Sequence, residues 1–397
     1  FEKRTHFTDS IFYDISSWTL SLAAGVDYAE VRTMPATGEK VLDPKMPAGK
    51  MIGEPSQYAY AFGAVGYYTP RAVYRLLEKG IKVKVATDAF FHSSGKKFDA
   101  GSILVPVAAQ ERSVELISFL IREIIEQDGI DVYSFHTGLN YRGLSLGSGS
   151  FVNIRKPEIA VLADAGVSAY DAGEIWHLLD TRYNIPVTML PVAVFNNADL
   201  HRYNTIIFPP GNYSEVPDYA REKLRSWVES GGVAIGLETA VQWFADSKLG
   251  KFEMKKNEAS PASTSRPYAD IIENSAAQQT DGAIFEAQVD LTHPLLYGYY
   301  KDRLAVFKGN NIFMEKSKGA YGDPVVLTAS PLLSGYISRQ NLAKAKESSI
   351  IGVSSLGRGR VIGSTENLAF RAFWFGTNRL LANAIFYGPM ISEAASR

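Results

Sequence analysis

The chain has 397 residues, of which 46% are hydrophobic and 21% are charged, a balance typical of a globular protein with two or three domains. Its 41 basic and 42 acidic residues give a formal net charge of −1, so no overall positive field favours binding to nucleic acid. The sequence contains no cysteine, which excludes disulfides, thiolate catalysis and cysteine-ligated metal sites, and no apolar run reaches the roughly 18 residues of a membrane-spanning helix.

The first 152 residues divide into two parts. Residues 1–50 lack regular periodicity and include a Pro/Gly/Lys-rich tract, so we predict an extended lead-in or linker. Residues 51–152 carry both helical and strand patterns and predict a small α/β domain. Its predicted elements are a helix that begins at Thr69-Pro70 and ends at Gly80, strands over 82–87 and 102–107, and an amphipathic helix over 113–127.

Residues 153–390 show a repeated strand–helix rhythm. Short all-apolar runs such as Ile159–Ala163 are typical of strands that helices cover on both faces, and the alternation predicts a parallel sheet. The looser region after Lys251 predicts an insertion followed by several short strands. The predicted strands are 159–163, 187–190, 205–208, 233–236 and 361–365, and the predicted helices are 172–183, 217–230 and 377–387, the last capped by Thr377.

Residues 231–244 predict a buried strand that passes through a tight turn into a helix. Such a turn holds the nucleophile in many hydrolases, because the bend exposes the apex side chain beside the amides of the helix N-terminus. Here the apex falls near Glu238 and Thr239, which are the candidate catalytic residues. Glu238 alternatively binds a cationic ligand, acts as a base or only complements the helix dipole, whereas Thr239 has no neighbouring base.

Two further segments contain candidate binding residues. Pro210, Gly211 and Asn212 follow a predicted strand, at the end where ligands of open α/β sheets bind. The backbone there either forms an anion pocket or belongs to a rigid turn. Arg371 is a candidate because its guanidinium is suited to pairing with a carboxylate, and a surface or interface ion pair is the alternative.

Histidine spacing argues against a metal centre in this chain. A hydrolytic zinc site needs two histidines and a carboxylate that converge on an open coordination position. None of the six histidines belongs to an H-E-x-x-H motif, although His177 and Asp180 share one helical face. We therefore expect no metal-binding residues.

At the level of whole segments, residues 156–249 together with 357–388 resemble a class I glutamine amidotransferase-like domain, a flavodoxin-like three-layer α/β sandwich. Most of the chain also resembles the C-terminal region of bacterial M14-family zinc carboxypeptidase-like proteins. The implied fold is the sandwich with a smaller α/β domain before it. The segments that carry this second resemblance are Asp9-Ser-Ile-Phe-Tyr-Asp-Ile-Ser-Ser-Trp-Thr-Leu20, Gly143-Leu-Ser-Leu-Gly-Ser148, His293-Pro-Leu-Leu-Tyr-Gly298, and Phe370-Arg-Ala-Phe-Trp-Phe-Gly-Thr377 with Asn383-Ala384.

The resemblance implies where the chemistry lies. In such proteins an upstream peptidase domain supplies His-x-x-Glu and a distant His for zinc, and this sequence has no His-x-x-Glu. Zinc is therefore expected only upstream, and this chain is expected to hold no cofactor. An amidotransferase site also needs a cysteine at the turn, where Glu238 or Thr239 stands, and a histidine in the region that reads Thr365-Glu-Asn-Leu368.

These departures predict a non-catalytic accessory region that binds a ligand or acts as a scaffold beside the upstream peptidase domain. The expected ligand is a peptide or a cell-wall-derived fragment. The expected location is periplasmic or secreted, and a chain that begins at Phe1 suggests a processed or truncated piece. One alternative is a hydrolase or ligand-binding enzyme with altered chemistry at Glu238, which predicts a concave pocket, a raised pKa for Glu238 and a partner such as His177 or Arg371. Another is a homo-oligomerisation module.

Overall fold

The computed structural model describes residues 3–5, 19–34, 36–140, 142–256, 267–280 and 282–395. Most of the first segment quoted for the family resemblance, residues 9–18, lies outside the described residues. Among the helices that are described, none combines the length and the apolarity needed to cross a bilayer.

Two short elements, β1 (Lys3–Arg4) and α1 (Leu20–Ala24), precede a small mixed sheet that we call the small sheet unit, residues 51–153. Its strands lie in the order β2-β8-β3-β7-β4-β9, and β5 and β6 form a separate two-stranded sheet. The elements are β2 (Met51–Ile52), β3 (Ala59–Phe62), α2 (Thr69–Glu78), β4 (Lys84–Ala86), β5 (Phe90–Phe91), β6 (Lys97–Phe98), β7 (Ile103–Pro106), α3 (Val114–Asp128), β8 (Val132–Phe135) and β9 (Phe151–Asn153).

The helices of the small sheet unit follow their sequence signals at Pro70 and at both ends of α3, whereas the N-cap residue of α2 is Tyr68, which makes no side-chain capping hydrogen bond, and not Thr69. Pro70 occupies the first turn of α2, where its missing N–H has no intrahelical partner to lose. Ser113 caps α3 by accepting a hydrogen bond from the amide of Leu116 at 3.3 Å, and Gly129 ends the helix with a φ of 66°. The apolar faces of α2 and α3 then pack on the sheet.

The remaining elements build the large sheet and its helices. They are β10 (Ile159–Ala163), α4 (Ala169–Trp176), β11 (Val187–Pro191), α5 (Val192–Phe195), β12 (Thr205–Phe208), α6 (Asp218–Glu229), β13 (Val233–Leu237), α7 (Thr239–Asp246), α8 (Ile271–Ala277), β14 (Ala283–Val289), β15 (Arg303–Lys308), β16 (Val325–Tyr336), α9 (Arg339–Ala345), β17 (Ser349–Leu356), β18 (Gly359–Ser364) and α10 (Phe375–Tyr387).

The strand order establishes the fold class. Five strands run parallel in the order β11-β10-β12-β13-β18, which is 2-1-3-4-5 in chain order, the flavodoxin-like arrangement. The sheet continues through the antiparallel strands β17, β16, β14 and β15, and β1 pairs with β16. The described sheet therefore has ten strands with β15 at one edge, and the predicted flavodoxin-like α/β fold is confirmed.

Helices cover both faces of the parallel strands, which makes the sandwich three layers thick. On one face the strand side chains pack with Trp227 of α6 and Phe244 of α7. On the other face they pack with Ile175 of α4 and Leu381 of α10. This second apolar cluster continues into the small sheet unit, where it includes Leu120 of α3. The two sheets therefore share one continuous core.

Two predicted helix starts are wrong. Helix α4 begins at Ala169 rather than at residue 172, and Ser168 caps it. The last helix begins at Phe375 rather than at Thr377, and Trp374 is its N-cap residue. The hydroxyl of Thr377 instead donates to the carbonyl oxygen of Leu368 at 2.9 Å, which joins the helix to the loop after β18. The predicted domain limits, 1–50, 51–152 and 153–390, stay predictions.

Candidate functional site

The turn between β13 and α7 places Glu238 at its apex. Glu238 has φ 50° and ψ −115°, a left-handed conformation that costs a residue with a Cβ about 1–3 kcal/mol. Its amide donates to the carbonyl oxygen of Ser364 in β18 at 2.7 Å. Gly236 permits the close packing of the helix on the strand, because a Cβ there would lie 2.5 Å from the ring of Phe244. The backbone therefore directs Glu238 toward the carboxyl ends of β13 and β18.

Glu238 lies in an open cleft with a volume of about 410 Å³ at the carboxyl ends of the parallel strands. Four carboxylates line it: Asp171 and Glu174 from α4, Glu238 from the turn, and Glu366 from the loop after β18. The other residues in its wall are Tyr170, Phe307, Gly309, Asn367, Phe370 and Arg371. The cleft is concave and predominantly acidic, and it occupies the end of the sheet at which this class of fold binds ligands.

An ammonium group lies beneath the cleft. Lys308, at the end of β15, and Glu366 form an ion pair of 2.7 Å with side chains only 1% and 3% exposed. Lys308 also donates to Asn310 Oδ1 at 2.9 Å and to the carbonyl oxygen of Ile312 at 2.7 Å, so all three of its N–H donors have acceptors. Burial raises the pKa of Glu366, while the ammonium acts in the opposite direction.

Asn367 joins the two carboxylates of α4. Its Nδ2 lies 2.6 Å from Asp171 Oδ1 and 2.6 Å from Glu174 Oε2, so both N–H groups of one amide are used. The hydroxyl of Ser168 donates to the second oxygen of Asp171. Burial, and to a smaller extent the charge of Asp171, raises the pKa of Glu174 to about 7, although the hydrogen bond from Asn367 lowers it.

The pKa of Glu238 is raised further than those of Glu174 and Glu366. Burial and then the negative charges of Glu366 and Asp171 raise its pKa to about 8, and the charge of Lys308 and a hydrogen bond with Asn310 only partly offset this. With a pKa of about 8, Glu238 is mostly protonated at neutral pH. A ligand cation at this position would replace that proton as the counter-charge.

Aromatic rings form one side of the cleft. Phe370 stacks on Phe307 with ring centroids 3.7 Å apart and an interplanar angle of 19°. Phe370 begins a short 3-10 turn, Phe370–Ala372, in which Arg371 has a φ of 47°. Tyr170, which is 87% exposed, stands at the opening. The cleft thus combines an acidic floor with an apolar wall and one guanidinium at its edge.

The other predicted site residues of this region lie outside the cleft. Thr239 is exposed, and its hydroxyl accepts from the amide of Gly211 at 2.8 Å and donates to the carbonyl oxygen of the same residue at 3.1 Å. The amide of Asn212 donates to the carbonyl oxygen of Gly166 at 2.7 Å, and Pro210 is buried and has no N–H. These amides already have partners, so this loop braces the turn and presents no open anion pocket.

The structure brings Glu238 and Arg371 to one cleft, as the altered-chemistry hypothesis requires, but it does not add His177. His177 begins a π-helical turn, His177–Arg182, and does not line the cleft. This wider turn also changes the helical spacing that placed His177 and Asp180 on one face. Within the described residues, no three histidine or carboxylate side chains are arranged to hold a metal ion.

Sequence reasoning missed four of the residues that give the cleft its charge: Asp171, Glu174, Glu366 and Lys308. A local signal was available for Asp171, because Ser168 caps α4 and an acid three residues later is the pattern of a capping box. Lys308 comes from the region after Lys251, for which only an insertion and several short strands were predicted. Its position depends on the pairing of β14 with β15, which no local pattern reveals.

No protein-family model matches the chain, and a search of curated proteins finds no match. Among solved structures, a protein from Bacteroides uniformis described as ThuA-like has 14% identity and a TM-score of 0.37, over 57% of this chain and 89% of that one. A glutamine amidotransferase from Thermotoga maritima has 11% identity and a TM-score of 0.34, over 54% and 76%. A β-galactosidase from Bacillus circulans has 14% identity and a TM-score of 0.34, over 57% and 30%. The strand order, rather than these similarities, establishes the fold.

Proposed function

We propose that this chain is a non-catalytic binding region of a zinc carboxypeptidase-like protein, and that the cleft at Glu238 binds an amine-bearing ligand derived from a peptide or from the cell wall. In this proposal the zinc belongs to an upstream peptidase domain, which is the partner of this region. The chain itself holds no cofactor. The protein functions in the periplasm or outside the cell.

The observation that carries the proposal is the residue at the apex of the turn between β13 and α7, which is a glutamate and not a cysteine. Amidotransferase chemistry needs a thiolate at this position and an imidazole to activate it. Here Glu238 occupies the apex, and the loop that follows β18 contributes Glu366, which is paired with Lys308, and Asn367. A carboxyl group whose pKa is about 8 is mostly protonated at pH 7 and is a poor nucleophile. The turn is therefore present, but the thiolate and the imidazole that acyl transfer needs are not at this position.

The ionisable groups of the cleft favour a cationic ligand, because the carboxyl groups outnumber the cations. The lining of the cleft contributes four carboxylates and one guanidinium, and the ammonium of Lys308 is buried beneath it. A primary amine would take the proton's place beside Glu238 and would meet Glu366 and Asp171 across a partly desolvated space, where charge pairs are stronger than in water. Amine binding should therefore release a proton at neutral pH.

Titration calorimetry tests this proposal. We expect L-lysine amide to bind and its Nα,Nε-diacetylated form not to bind, with affinity rising from pH 6 to pH 8.5 as Glu238 ionises. Glu238→Gln should weaken binding about tenfold or more, because a charge-assisted contact is lost. Glu111→Gln, at an exposed side chain of the small sheet unit, is the matched control. Equal binding of the acetylated probe would contradict the ligand class.

The same preparation tests for the absence of catalysis. Glutaminase and carboxypeptidase assays of the isolated chain should show no turnover, with or without added zinc. Turnover that Glu238→Gln abolishes would overturn the non-catalytic part of the proposal.

One observation favours a second candidate, a hydrolase with altered chemistry. Burial raises the pKa of Glu238 to about 8, so this residue can hold a proton near neutral pH and act as a general acid beside the other carboxyl groups of the cleft. A rate that falls as the pH rises through about 8 would support this candidate, and a Glu238→Asp variant should then retain part of the activity.

A further inference from the structure

A second cavity, of about 370 Å³, lies beside the cleft and has a different character; we call it the aromatic groove. Tyr28, Tyr300 and Phe375 line it and are 53%, 55% and 38% exposed. Its charged residues are Glu286, Lys301, Arg303 and Arg379, so cations outnumber carboxylates three to one. Glu286 lies 3.8 Å from Arg303, Lys301 pairs with Asp27, and Arg379 donates to the carbonyl oxygens of residues 64–66. The groove therefore offers exposed ring faces beside a lining that disfavours a free ammonium group.

The aromatic groove and the cleft are neighbours along the same two chain segments. Along β15 and its continuation, Ala305 lines the groove, whereas Phe307 and Gly309 line the cleft. Along the segment that leads into α10, Phe375 lines the groove and Phe370 lines the cleft. Four residues of extended chain separate Ala305 from Gly309, a span of about 13 Å. The two cavities are therefore within reach of one small extended molecule.

A partition of three rings stands between the cavities. Phe307 stacks on Phe370, and its ring centroid lies 5.8 Å from that of the fully buried Trp374. Leu22 of α1 packs into the same cluster. The partition is part of a packed core, so it fixes the separation between the two cavities.

We propose that the cleft and the aromatic groove are two subsites for one extended peptide, whose free amine lies in the cleft and whose apolar, ring-bearing side chain lies in the groove. The cleft half of this inference rests on the proposed function. The groove half rests on the exposed rings and on continuity with the cleft along β15.

Charge sets the direction in which the peptide lies. The acidic cleft favours the ammonium end, and the groove, whose lining has three cations and one carboxylate, disfavours it. Pairing of the peptide with the backbone of the edge strand is not the source of affinity at Ala305, because its carbonyl oxygen accepts from Trp374 Nε1 at 3.3 Å. The peptide would be held by its terminus and its side chain, with the rings supplying most of the apolar contact.

The experiment compares three probes by titration calorimetry: Gly-Gly-Gly-Phe amide, its N-acetylated form and Gly-Gly-Gly-Gly amide. An extended tetrapeptide spans about 13 Å, which matches the separation of the subsites. We expect acetylation, and replacement of Phe by Gly, each to weaken binding about tenfold or more. Tyr300→Ala should remove the preference for Phe and leave the affinity for Gly-Gly-Gly-Gly amide unchanged. Tyr219→Ala, at a 57% exposed tyrosine on α6, is the control.

The outcomes separate this inference from the proposed function. If acetylation and Glu238→Gln weaken binding but Tyr300→Ala does not change the Phe-to-Gly ratio, the groove is not a subsite and the proposed function stands. If neither acetylation nor Glu238→Gln has an effect, the proposed function fails. A chitosan tetramer that binds more tightly than the Phe peptide, and depends on Tyr300, would replace the peptide by an amino-sugar chain and overturn the assignment.

Discussion

The small sheet unit and the cleft both bury a carboxylate, and they supply it with cations differently. In the small sheet unit, Asp128 Oδ1 accepts from Arg71 Nε at 2.6 Å and lies 3.4 Å from a guanidinium nitrogen of Arg75. Two cations thus face one carboxylate. In the cleft, Glu366 has Lys308, but three further carboxylates stand nearby with one guanidinium at the edge.

This difference distinguishes an ion pair that only stabilises the fold from a cleft that can bind a ligand. Arg71 and Arg75 lie on α2 and Asp128 ends α3, so their contacts join the two helices that cover the small sheet. Burial raises the pKa of Asp128, whereas Arg75 and Arg71 lower it. The protein itself therefore supplies the positive charge that this carboxylate needs. In the cleft, four carboxyl groups face two cations of the protein, Lys308 and Arg371. The additional carboxyl groups of the cleft can therefore ionise to bind a ligand cation, whereas the single carboxylate of the small sheet unit is already paired.

The largest effect is expected from Lys308→Met. This substitution leaves Glu366 buried without its counter-ion, and breaking a buried pair in this way costs about 3–5 kcal/mol. The free energy of unfolding, measured in urea at pH 7, should fall by that amount. The double variant Lys308→Met/Glu366→Gln should recover most of the loss, because no unpaired charge then remains. Equal losses in the single and double variants would show that the pair is not the cause.

A smaller effect, about 2 kcal/mol, is expected from Asp128→Asn in the small sheet unit. The two arginines would lose their carboxylate, but their side chains are 16% and 13% exposed and can turn toward water. The control is Glu111→Gln, which breaks an exposed pair with Lys82 and should cost less than about 0.5 kcal/mol. A loss as large as that of Lys308→Met would remove the contrast between the two regions.

The smallest effect concerns pH. The pKa of Glu238 is about 8 in the folded protein against an ordinary value of 4.5, so between these values the folded state holds a proton that the unfolded chain has lost. Its contribution to stability is therefore present below about pH 4.5 and is lost as the pH rises through about 8.

Glu238→Gln removes this loss. The free energy of unfolding of the variant should exceed that of the parent by roughly 1–2 kcal/mol at pH 8.5. This value is smaller than the free energy that corresponds to the whole pKa shift, because the carboxyl group faces solvent in the cleft. At pH 4 the two proteins should unfold at similar urea concentrations. Glu222→Gln, at a side chain 74% exposed, should show no such pH dependence. Parallel pH profiles for the parent protein and Glu238→Gln would mean that Glu238 is ionised in the folded protein throughout this pH range.

Local patterns predicted most of the parallel strands and the turn that carries Glu238. Apolar runs such as Ile159–Ala163 report burial on both faces, and a strand followed at once by a helix can form only through a tight turn. The same patterns did not reveal the surroundings of that turn. Asn367 and Asp171 lie 196 residues apart in the chain, and their contact arises because β10 and β18 end at the same edge of the sheet.

The sequence by itself determined a parallel α/β sheet, a tight turn whose apex falls near Glu238 and Thr239, and the absence of a thiol there. These follow from hydrophobic spacing and from residue identity, which are local properties. The tertiary structure alone decided that Glu238 would meet Glu366, Asp171 and Lys308, and that the amides near Gly211 would be used within the protein. The reason is physical: the pKa and the charge of a site depend on desolvation and on neighbours that only the packed sheet brings together.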